Sequence, residues 1–321
     1  MQPRNKLILE FWDKSKELTV KNTNYRNFVH QFLMVLLKQD IGNTDLTTTS
    51  LTKKNSEIHA QIIAKEDGIF AGFEEFALLN KDLKIKPLKN DGDKISKGDI
   101  LIDISGNAQK ILERERTSLN LLQRMSGIAT LTNALNKKLN NTQENQRFSA
   151  PGHFFKISRE IKLAATRKTL WGLLDKKAVS IGGGLTHRLS LSDGIIIKDN
   201  HLKILKNSIE NALMLVKDNS PHIEIEVENK KQALTAASLI KKLSNERNLF
   251  AIMLDKIKPQ EIKAIIEELK NRHFYEYVLL EASGDIKPSN LMEYAGCGVD
   301  VISMGYITNS AKALDISQEI K

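Results

Sequence analysis

A basic cluster between residues 166 and 201 is the strongest chemical signal in the sequence. Its members are two cationic pairs, a run of three glycines and a lysine that ends an apolar stretch: Arg167-Lys168, His187-Arg188, Gly182-Gly183-Gly184 and Lys198. Arginine binds a carboxylate or phosphate through two parallel hydrogen bonds, whereas lysine adds a compact point charge. This mixture predicts a site for a small ligand with several anionic groups, although a solvated basic face has a similar composition.

Polar residues also end a series of short apolar runs farther along the chain. The runs end at Lys198, Glu226, Asp255, Ser283-Gly284 and Gly305. Helix-like segments such as 230–243 and 259–270 separate them, at roughly 20 to 30 residues per unit, which is typical of a parallel α/β barrel or doubly wound sheet. A barrel assembles its site at the carboxyl ends of several strands, so the repeated polar ends favour the barrel. The alternative is that each is only the first loop residue after its strand.

The first half of the chain has a different pattern. Residues 24–38 carry apolar side chains at helical spacing, whereas residues 56–104 contain strand-like runs punctuated by glycine turns. A long helical segment, roughly 108–139, follows. The predicted domains are an α+β domain that includes the start of the linking helix, a barrel, and a C-terminal helix that packs back on the first domain: residues 1–122, 123–306 and 307–321.

Composition limits the classes of protein that remain. The 321 residues suffice for a barrel of roughly 200 residues and a smaller domain. The net charge of +9 suggests nucleic acid, but lysines are spread along the chain and only 6% of residues are aromatic, which leaves few base-stacking platforms. Cys297 is the single cysteine, which excludes a disulfide framework. Without a signal-peptide core or a long apolar run, we expect a cytoplasmic protein with no membrane or nucleic-acid partner.

Several motifs occur along the whole chain in a fixed order: DIGNTDLTT, ERTSLNLLQRMSGIAT, TRKT, GGG followed by HR, IKDNH, EIEVEN, MLD, LEASG and VDVISMGYIT. In this combination the chain resembles the quinolinate phosphoribosyltransferase family, also called nicotinate-nucleotide pyrophosphorylase (carboxylating). The resemblance covers nearly the whole chain. It implies an α/β fold, with an incomplete parallel, TIM-like α/β barrel and an N-terminal α+β open sandwich domain. It also implies a homodimer whose active site lies near the subunit interface.

The resemblance implies a pentosyl transfer in NAD biosynthesis. Phosphoribosyl pyrophosphate and quinolinate react to give nicotinate mononucleotide, pyrophosphate and carbon dioxide. Quinolinate is a dianion, and the sugar donor brings a phosphate, a pyrophosphate and Mg²⁺, so the pocket needs many fixed cations and a few carboxylates. Mg²⁺ with the sugar donor is the implied cofactor, and no organic cofactor is implied.

The matched motifs also imply roles for individual side chains. Quinolinate binding is assigned to cationic side chains, the first of them from the neighbouring subunit: Arg116, Arg167, Lys168, His187, Arg188 and Lys198. Catalysis is assigned to two lysines between the acid and the pyrophosphate and to an acidic pair near the ribose and metal: Lys168, Lys198, Glu226 and Asp255. The 5′-phosphate is assigned to backbone amides around Ser283, Gly284 and Gly305. No side chain is the nucleophile, because the pyridine nitrogen attacks the sugar.

Three features depart from the family pattern. Family members read PGLR after TRKT, whereas this chain has Trp171-Gly172-Leu173-Leu174. Asp285 replaces a glycine after LEASG, where its carboxylate would repel a phosphate unless it points away or helps to hold a metal ion. Residues 140–161 read as a polar insertion, for which we expect a surface loop.

These departures keep alternatives open. A paralogous phosphoribosyltransferase for a different aromatic acid is compatible with the altered Trp171 segment, but such an acceptor would not need the full cationic set. A non-catalytic nucleic-acid-binding protein is the more distant alternative, because Glu226 and Asp255 would weaken binding of a polyphosphate chain. Glu224 and Glu228 alternate with Glu226, which predicts that all three share one face of a strand.

Overall fold

A computed structural model describes residues 3–146, 161–244 and 248–321, with side chains described as far as residue 140 in the first range. Most of the predicted insertion at 140–161 lies outside these ranges. The chain forms two compact units. The parallel-sheet unit comprises Met1–Lys14, Ala134–Lys168 and Gly184–Tyr306, and the antiparallel-sheet unit comprises Ser15–Asn133, Thr169–Gly183 and Ile307–Lys321. Within the described ranges, no helix has the length and apolar character needed to cross a membrane.

The secondary structure of the described residues alternates between helices and strands. The strands are β1 (Glu57–Ala64), β2 (Gly68–Ile69), β3 (Lys84–Pro87), β4 (Lys94–Ile95), β5 (Ile100–Asn107), β6 (Lys162–Ala164), β7 (Ile195–Ile197), β8 (His222–Val227), β9 (Leu249–Asp255), β10 (Leu279–Ser283), β11 (Val301–Ser303) and β12 (Ile316–Ile320). The α-helices are α1 (Arg4–Trp12), α2 (Thr23–Ile41), α3 (Leu46–Leu51), α4 (Phe73–Leu79), α5 (Ala108–Gln146), α6 (Leu173–Ile181), α7 (Asp199–Ile204), α8 (Ile209–Val216), α9 (Lys230–Leu243), α10 (Pro259–Asn271), α11 (Leu291–Ala295) and α12 (Tyr306–Asn309). Two 3₁₀ helices cover Ser15–Glu17 and Tyr275–Tyr277.

The parallel-sheet unit is built on six parallel strands in the order β6-β11-β10-β9-β8-β7. Their residues are mostly apolar and buried, as expected for strands covered on both faces. Helices α9 and α10 match the two predicted helical segments. Helix α10 buries Ile262, Ile265, Ile266 and Leu269, which form one apolar stripe of helical period. No ladder among the described residues joins β7 back to β6, so the predicted incomplete α/β barrel is confirmed.

Helix α1 belongs to the parallel-sheet unit, whereas the sequence placed residues 1–122 together in the first domain. Its Phe11 and Trp12 are buried in one cluster with residues of β6, β9, β10 and β11. Arg4 binds Asp300 at both carboxylate oxygens, at 2.8 and 2.7 Å. Apolar burial and a paired charge therefore attach the first helix to the parallel sheet, and the predicted domain boundary requires this correction.

The antiparallel-sheet unit contains a four-stranded sheet in the order β12-β1-β5-β3 and the short pair β2-β4. Strand β12 pairs antiparallel with β1, from Ala64 opposite Ile316 to Ala60 opposite Ile320. The predicted C-terminal helix over 307–321 is therefore wrong: the segment contains the end of α12 and a strand. The residues from Ile316 to Ile320 show no clear alternation of apolar and polar side chains, so pairing with β1 rather than local pattern makes this segment a strand.

Helix α5 continues past the predicted boundary at residue 122 and reaches Gln146. A glycine inside it allows close packing of the C-terminal segment, because a Cβ on Gly127 would lie 2.0 Å from the carbonyl oxygen of Lys312. Such a contact is shorter than any that real side chains make. Gly127 therefore lets the backbone at Lys312, which leads into β12, pack directly against α5 within this unit.

Candidate active site

A cavity of about 270 Å³ opens at the carboxyl edge of the parallel sheet. Because parallel strands all end at this edge, residues far apart in sequence meet around it. Each wall residue lies on a strand, or a few residues beyond one, in β6–β11 or after the single bridge residue Leu185. The lining residues are Thr166, Arg167, Lys168, His187, Arg188, Ile196, Lys198, Glu226, Met253, Asp255, Lys256, Glu281, Ser283, Gly284 and Ser303.

Nine of the eleven predicted site residues line this cavity. Arg116 does not line it; its side chain is exposed on helix α5 of the antiparallel-sheet unit. Gly305 also lies outside the lining, two residues beyond the end of β11. The grouping of the other nine follows from the strand order, because their strands are all neighbours in one sheet.

Two guanidinium groups create a strongly cationic wall. Arg188 is half-buried, and its Nη1 donates a hydrogen bond of 2.8 Å to the carbonyl oxygen of Gly194. Burial lowers the pKa of Arg188, and the nearby positive charge of Arg167 lowers it further. Both causes disfavour the charged form of Arg188, and a bound anion would stabilise that form. This wall can therefore bind carboxylates or phosphates.

A mixed-charge wall is formed by Lys198, Glu226 and Asp255. The ammonium of Lys198 makes a short ion pair with Glu226 at the end of β8. Burial raises the pKa of Asp255, and the neighbouring Glu226 carboxylate raises it further. Helix α7 begins immediately after Lys198, whose backbone N–H donates to Nδ1 of His201 at 2.9 Å. That contact fixes the backbone that carries the lysine.

The loop after β10 brings backbone close to this mixed-charge wall. Gly284 has φ +84°, and a Cβ there would lie 2.6 Å from Oδ1 of Asp255, so only glycine fits. Asp285 follows with φ +53° and is exposed. It is not among the residues that line the cavity.

A buried residue that sequence reasoning missed, Glu281, lines the cavity. Glu281 is fully buried on β10, and its Oε1 accepts a hydrogen bond of 2.5 Å from Ser303 on β11. Burial acts to raise the pKa of Glu281, but His187 and Ser303 outweigh burial and lower it. Glu224, which was predicted to share a face with Glu226, is fully buried but is not a lining residue, and burial together with Glu281 holds its pKa well above the usual range. The position of Glu281, two residues before Ser283, was the available signal, since alternate strand residues share a face.

Lys256 is a second residue that sequence reasoning missed. It directly follows Asp255, lines the cavity and is exposed, and its ammonium lies 4.0 Å from Oδ2 of Asp255. Glu228, in contrast, was predicted to share a face with Glu226 but lies beyond the end of β8 and is exposed.

The altered Trp171 segment packs inside the antiparallel-sheet unit. The Trp171 ring meets Phe32 edge to face, with centroids 5.5 Å apart, and the Arg124 guanidinium lies 5.7 Å from its centroid. Arg124 in turn makes two bonds of 2.7 Å to the buried carboxylate of Asp175. Trp171 is not a lining residue of the cavity. Its contacts support the fold of its own unit rather than the choice of ligand.

Comparisons with known proteins agree with this architecture. Residues 45–126 match the N-terminal domain of quinolinate phosphoribosyl transferase, and residues 153–319 match its C-terminal domain. The chain is 40% identical over 293 residues to a probable nicotinate-nucleotide pyrophosphorylase (carboxylating) of Methanothermobacter thermautotrophicus, covering 89% of this chain and 96% of that protein. A Bacillus subtilis protein with the same description is 36% identical over 295 residues, covering 88% and 90% of the two chains.

A solved structure supports the same relationship. The nicotinate-nucleotide pyrophosphorylase of Francisella tularensis superposes with a TM-score of 0.74 at 30% sequence identity, covering 92% of this chain and 96% of that one. Both domain matches and the full-length relatives extend across the two compact units. The chain therefore belongs to the quinolinate phosphoribosyltransferase family.

Proposed function

We propose that this protein transfers the phosphoribosyl group of phosphoribosyl pyrophosphate to quinolinate with decarboxylation. The products are nicotinate mononucleotide, pyrophosphate and carbon dioxide, and the reaction is a step of NAD biosynthesis. The observation that supports it most directly is a single cavity in which a wall of two arginines faces lysines and an acidic pair. Such a cavity matches a dianionic acceptor and a polyanionic sugar donor.

The acceptor half of the site is proposed at Arg167 and Arg188. A guanidinium binds a carboxylate through two parallel hydrogen bonds, so two guanidinium groups suit the two carboxylates of quinolinate. The lowering of the pKa of Arg188, caused first by burial and then by the charge of Arg167, supports this assignment, because neighbouring cations favour a bound dianion. Nicotinate has one carboxylate and would leave one of the cations without a partner.

The donor half is proposed at Lys168, Lys198, Glu226 and Asp255, with Ser283 and Gly284 at the 5′-phosphate. The lysines would stabilise the departing pyrophosphate, where negative charge develops. The carboxylates would bind the ribose hydroxyls and stabilise positive charge at the anomeric carbon. Oxygen ligands suit Mg²⁺, so Glu226 and Asp255 would hold the ion that accompanies the sugar donor and offsets its charge.

The protein contributes position and charge rather than a nucleophile. The pyridine nitrogen of quinolinate forms a bond to the anomeric carbon as the bond to pyrophosphate breaks. The resulting ring carries a positive nitrogen. When the 2-carboxylate departs as carbon dioxide, the electron pair of the broken bond stays on the ring carbon, where the adjacent positive nitrogen stabilises it, and a proton then adds to that carbon. Holding both substrates in one cavity converts a bimolecular step into an effectively unimolecular one.

A homodimer is part of the proposal. Arg116 is exposed on α5 and does not line the cavity of its own chain, so it is proposed to reach quinolinate in a second copy. A cytoplasmic location is also proposed, supported by the single buried Cys297, which suits a reducing compartment. The paralogue with a different acceptor gains no support from Trp171, because that ring packs within the antiparallel-sheet unit.

Direct binding separates the two functions. Isothermal titration with quinolinate and with nicotinate, each with and without phosphoribosyl pyrophosphate and Mg²⁺, measures the acceptor preference. Tighter binding of quinolinate supports the proposal. Equal binding of both acids, or preference for nicotinate, would instead support an altered acceptor.

A further inference from the structure

Both ring nitrogens of His187 are engaged within the protein. Nδ1 accepts a hydrogen bond of 2.8 Å from the backbone N–H of Arg188, and Nε2 lies 3.1 Å from Oε2 of Glu281. Because Nδ1 accepts, a neutral imidazole carries its proton on Nε2 and donates it to Glu281. The ring is therefore held by contacts within the protein, while His187 also lines the cavity.

The backbone of His187 is also held in an unusual conformation. Its φ of +56° is left-handed, which a residue other than glycine adopts only where surrounding contacts fix it. Its N–H donates to the carbonyl oxygen of Trp12 at 2.8 Å, and its carbonyl oxygen accepts from the Thr186 hydroxyl at 3.0 Å. The next residue is Arg188, so this turn sets the direction in which that guanidinium enters the cavity.

Glu281 is the acceptor that completes the arrangement. Its side chain has no exposed surface; His187 lies at one carboxylate oxygen, Ser303 donates to the other, and the Glu224 carboxyl interacts with it as well. Charged or titratable groups that face the ring are Glu281 at 3.1 Å, Glu224 at 3.5 Å and the adjoining Arg188. Because a buried N–H without an acceptor is costly, Glu281 determines which way the ring points.

The same three side chains have the donor types of a cation site. One ligand atom from each of His187, Glu224 and Glu281 lies within 4.8 Å of the others. Metal binding would require a lone pair on Nε2, but the hydrogen bond accepted by Nδ1 places the proton there. The cluster therefore fits a hydrogen-bonded support better than a metal centre.

We propose that Glu281 is a positioning residue which, by accepting the Nε2 proton of His187, fixes the turn that presents Arg188 to the acceptor. The inference rests on the proposed function, because it concerns the acceptor half of that site. Glu281 itself touches no substrate in this account. Its effect is expected on quinolinate affinity, and not on the affinity for phosphoribosyl pyrophosphate.

The first test observes the tautomer directly. The chain has seven histidines, so the His187 ring signals of ¹⁵N-histidine-labelled protein are identified by comparison with a His187→Gln variant. The expected state is a ring with its proton on Nε2 and none on Nδ1, in the free and the quinolinate-bound protein. An imidazolium in the complex, or a proton on Nδ1, would overturn the inference.

The second test changes the acceptor. Glu281→Met removes it, and the Kd for quinolinate is expected to rise by about tenfold to a hundredfold, the range found when a partner that orients a metal-site ligand is removed. The Kd for phosphoribosyl pyrophosphate should stay at the wild-type value. Glu281→Gln should recover most of the lost affinity, because its amide oxygen still accepts from His187 and its NH₂ group can donate to Ser303.

A matched control separates positioning from a general loss of stability. Glu75 is equally buried, in the antiparallel-sheet unit, and accepts a hydrogen bond of 2.8 Å from Tyr25. Glu75→Met should lower Tm without raising the Kd for quinolinate. Unchanged quinolinate affinity in a folded Glu281→Met variant would overturn the inference alone, whereas wild-type protein that binds no quinolinate would overturn the proposed function.

Discussion

The ammonium of Lys198 and the carboxylate of Glu226 form an ion pair between the ends of two neighbouring parallel strands. Both groups line the cavity, and the lysine side chain remains partly exposed to it. The pair holds the lysine in place before any substrate binds. A bound pyrophosphate would compete with Glu226 for the same ammonium, and this competition gives the pair a testable role.

Lys198→Met should lower kcat/KM by about a hundredfold or more, because it removes a fixed charge at the departing pyrophosphate. Glu226→Gln should also lower kcat/KM, and the double variant should lose less than the sum of the two losses, as expected for residues in contact. Steady-state kinetics with varied phosphoribosyl pyrophosphate measures all three. Lys203→Met is the control, since Lys203 is exposed on α7 and pairs with Asp199. Additive losses would mean that the ion pair has no part in the reaction.

Arg188→Ala should weaken quinolinate binding by about 2–5 kcal/mol, the scale for removing one partner of a desolvated charged pair. Arg188→Lys should recover only part of this loss, because lysine retains the charge but not the planar fork. Calorimetric titration gives both values. Arg272→Ala, at an exposed arginine of the same unit, should leave quinolinate affinity unchanged. A wild-type Kd in Arg188→Ala would remove this residue from the acceptor site.

Arg116→Ala and Arg188→Ala should each be nearly inactive alone and should complement each other when mixed. If Arg116 acts in the cavity of the partner subunit, a mixed dimer contains one intact site and one site with both lesions. Random subunit exchange should therefore restore about a quarter of the wild-type activity. Activity is measured after unfolding and refolding the two variants together. No recovery, despite mixed dimers seen by native mass spectrometry, would place Arg116 in its own chain's site or outside any site.

Arg4→Ala should destabilise the protein by about 3–5 kcal/mol near neutral pH, because it leaves Asp300 buried without its cation. Burial already raises the pKa of Asp300, while Arg4 opposes that rise. A raised carboxyl pKa means that stability is retained at low pH and lost as pH increases. The free-energy difference between wild type and Arg4→Ala should therefore be larger at pH 8 than at pH 5.

Chemical denaturation at both pH values measures this difference. Adding Asp300→Asn to Arg4→Ala should recover part of the stability, since no buried charge then remains. Lys6→Ala, at an exposed position of the same helix, is the control. A pH-independent loss in Arg4→Ala would show that packing of the arginine, rather than the charge of Asp300, is responsible.

The parts of the site that could be predicted are those in which local sequence determines position. Lys198, Glu226 and Asp255 each end an apolar run, and parallel strands place such ends at one edge whatever the intervening helices contain. The fold could also be predicted from local sequence, because apolar residues recur with different spacings in buried strands and in amphipathic helices. Nine predicted residues lie around one cavity as a result.

What could not be predicted depends on contacts between distant segments. Glu281 supports His187 from 94 residues away, and neither its apolar neighbours nor its spacing reveals that partner. The short sequence of α1 does not indicate which part of the protein the helix packs against. The ion pair between Arg4 and Asp300, 296 residues away, could therefore not be predicted. At the C-terminus, the edge-strand role of Ile316–Ile320 is decided by the free edge of β1.

One assay tests most directly whether the acceptor is quinolinate. Purified protein is incubated with phosphoribosyl pyrophosphate and Mg²⁺ together with either carboxyl-labelled quinolinate or nicotinate, and nicotinate mononucleotide and carbon dioxide are measured. The account predicts nicotinate mononucleotide from quinolinate with one equivalent of carbon dioxide, and far slower product formation from nicotinate. No product from quinolinate, by protein that still binds phosphoribosyl pyrophosphate, would contradict it.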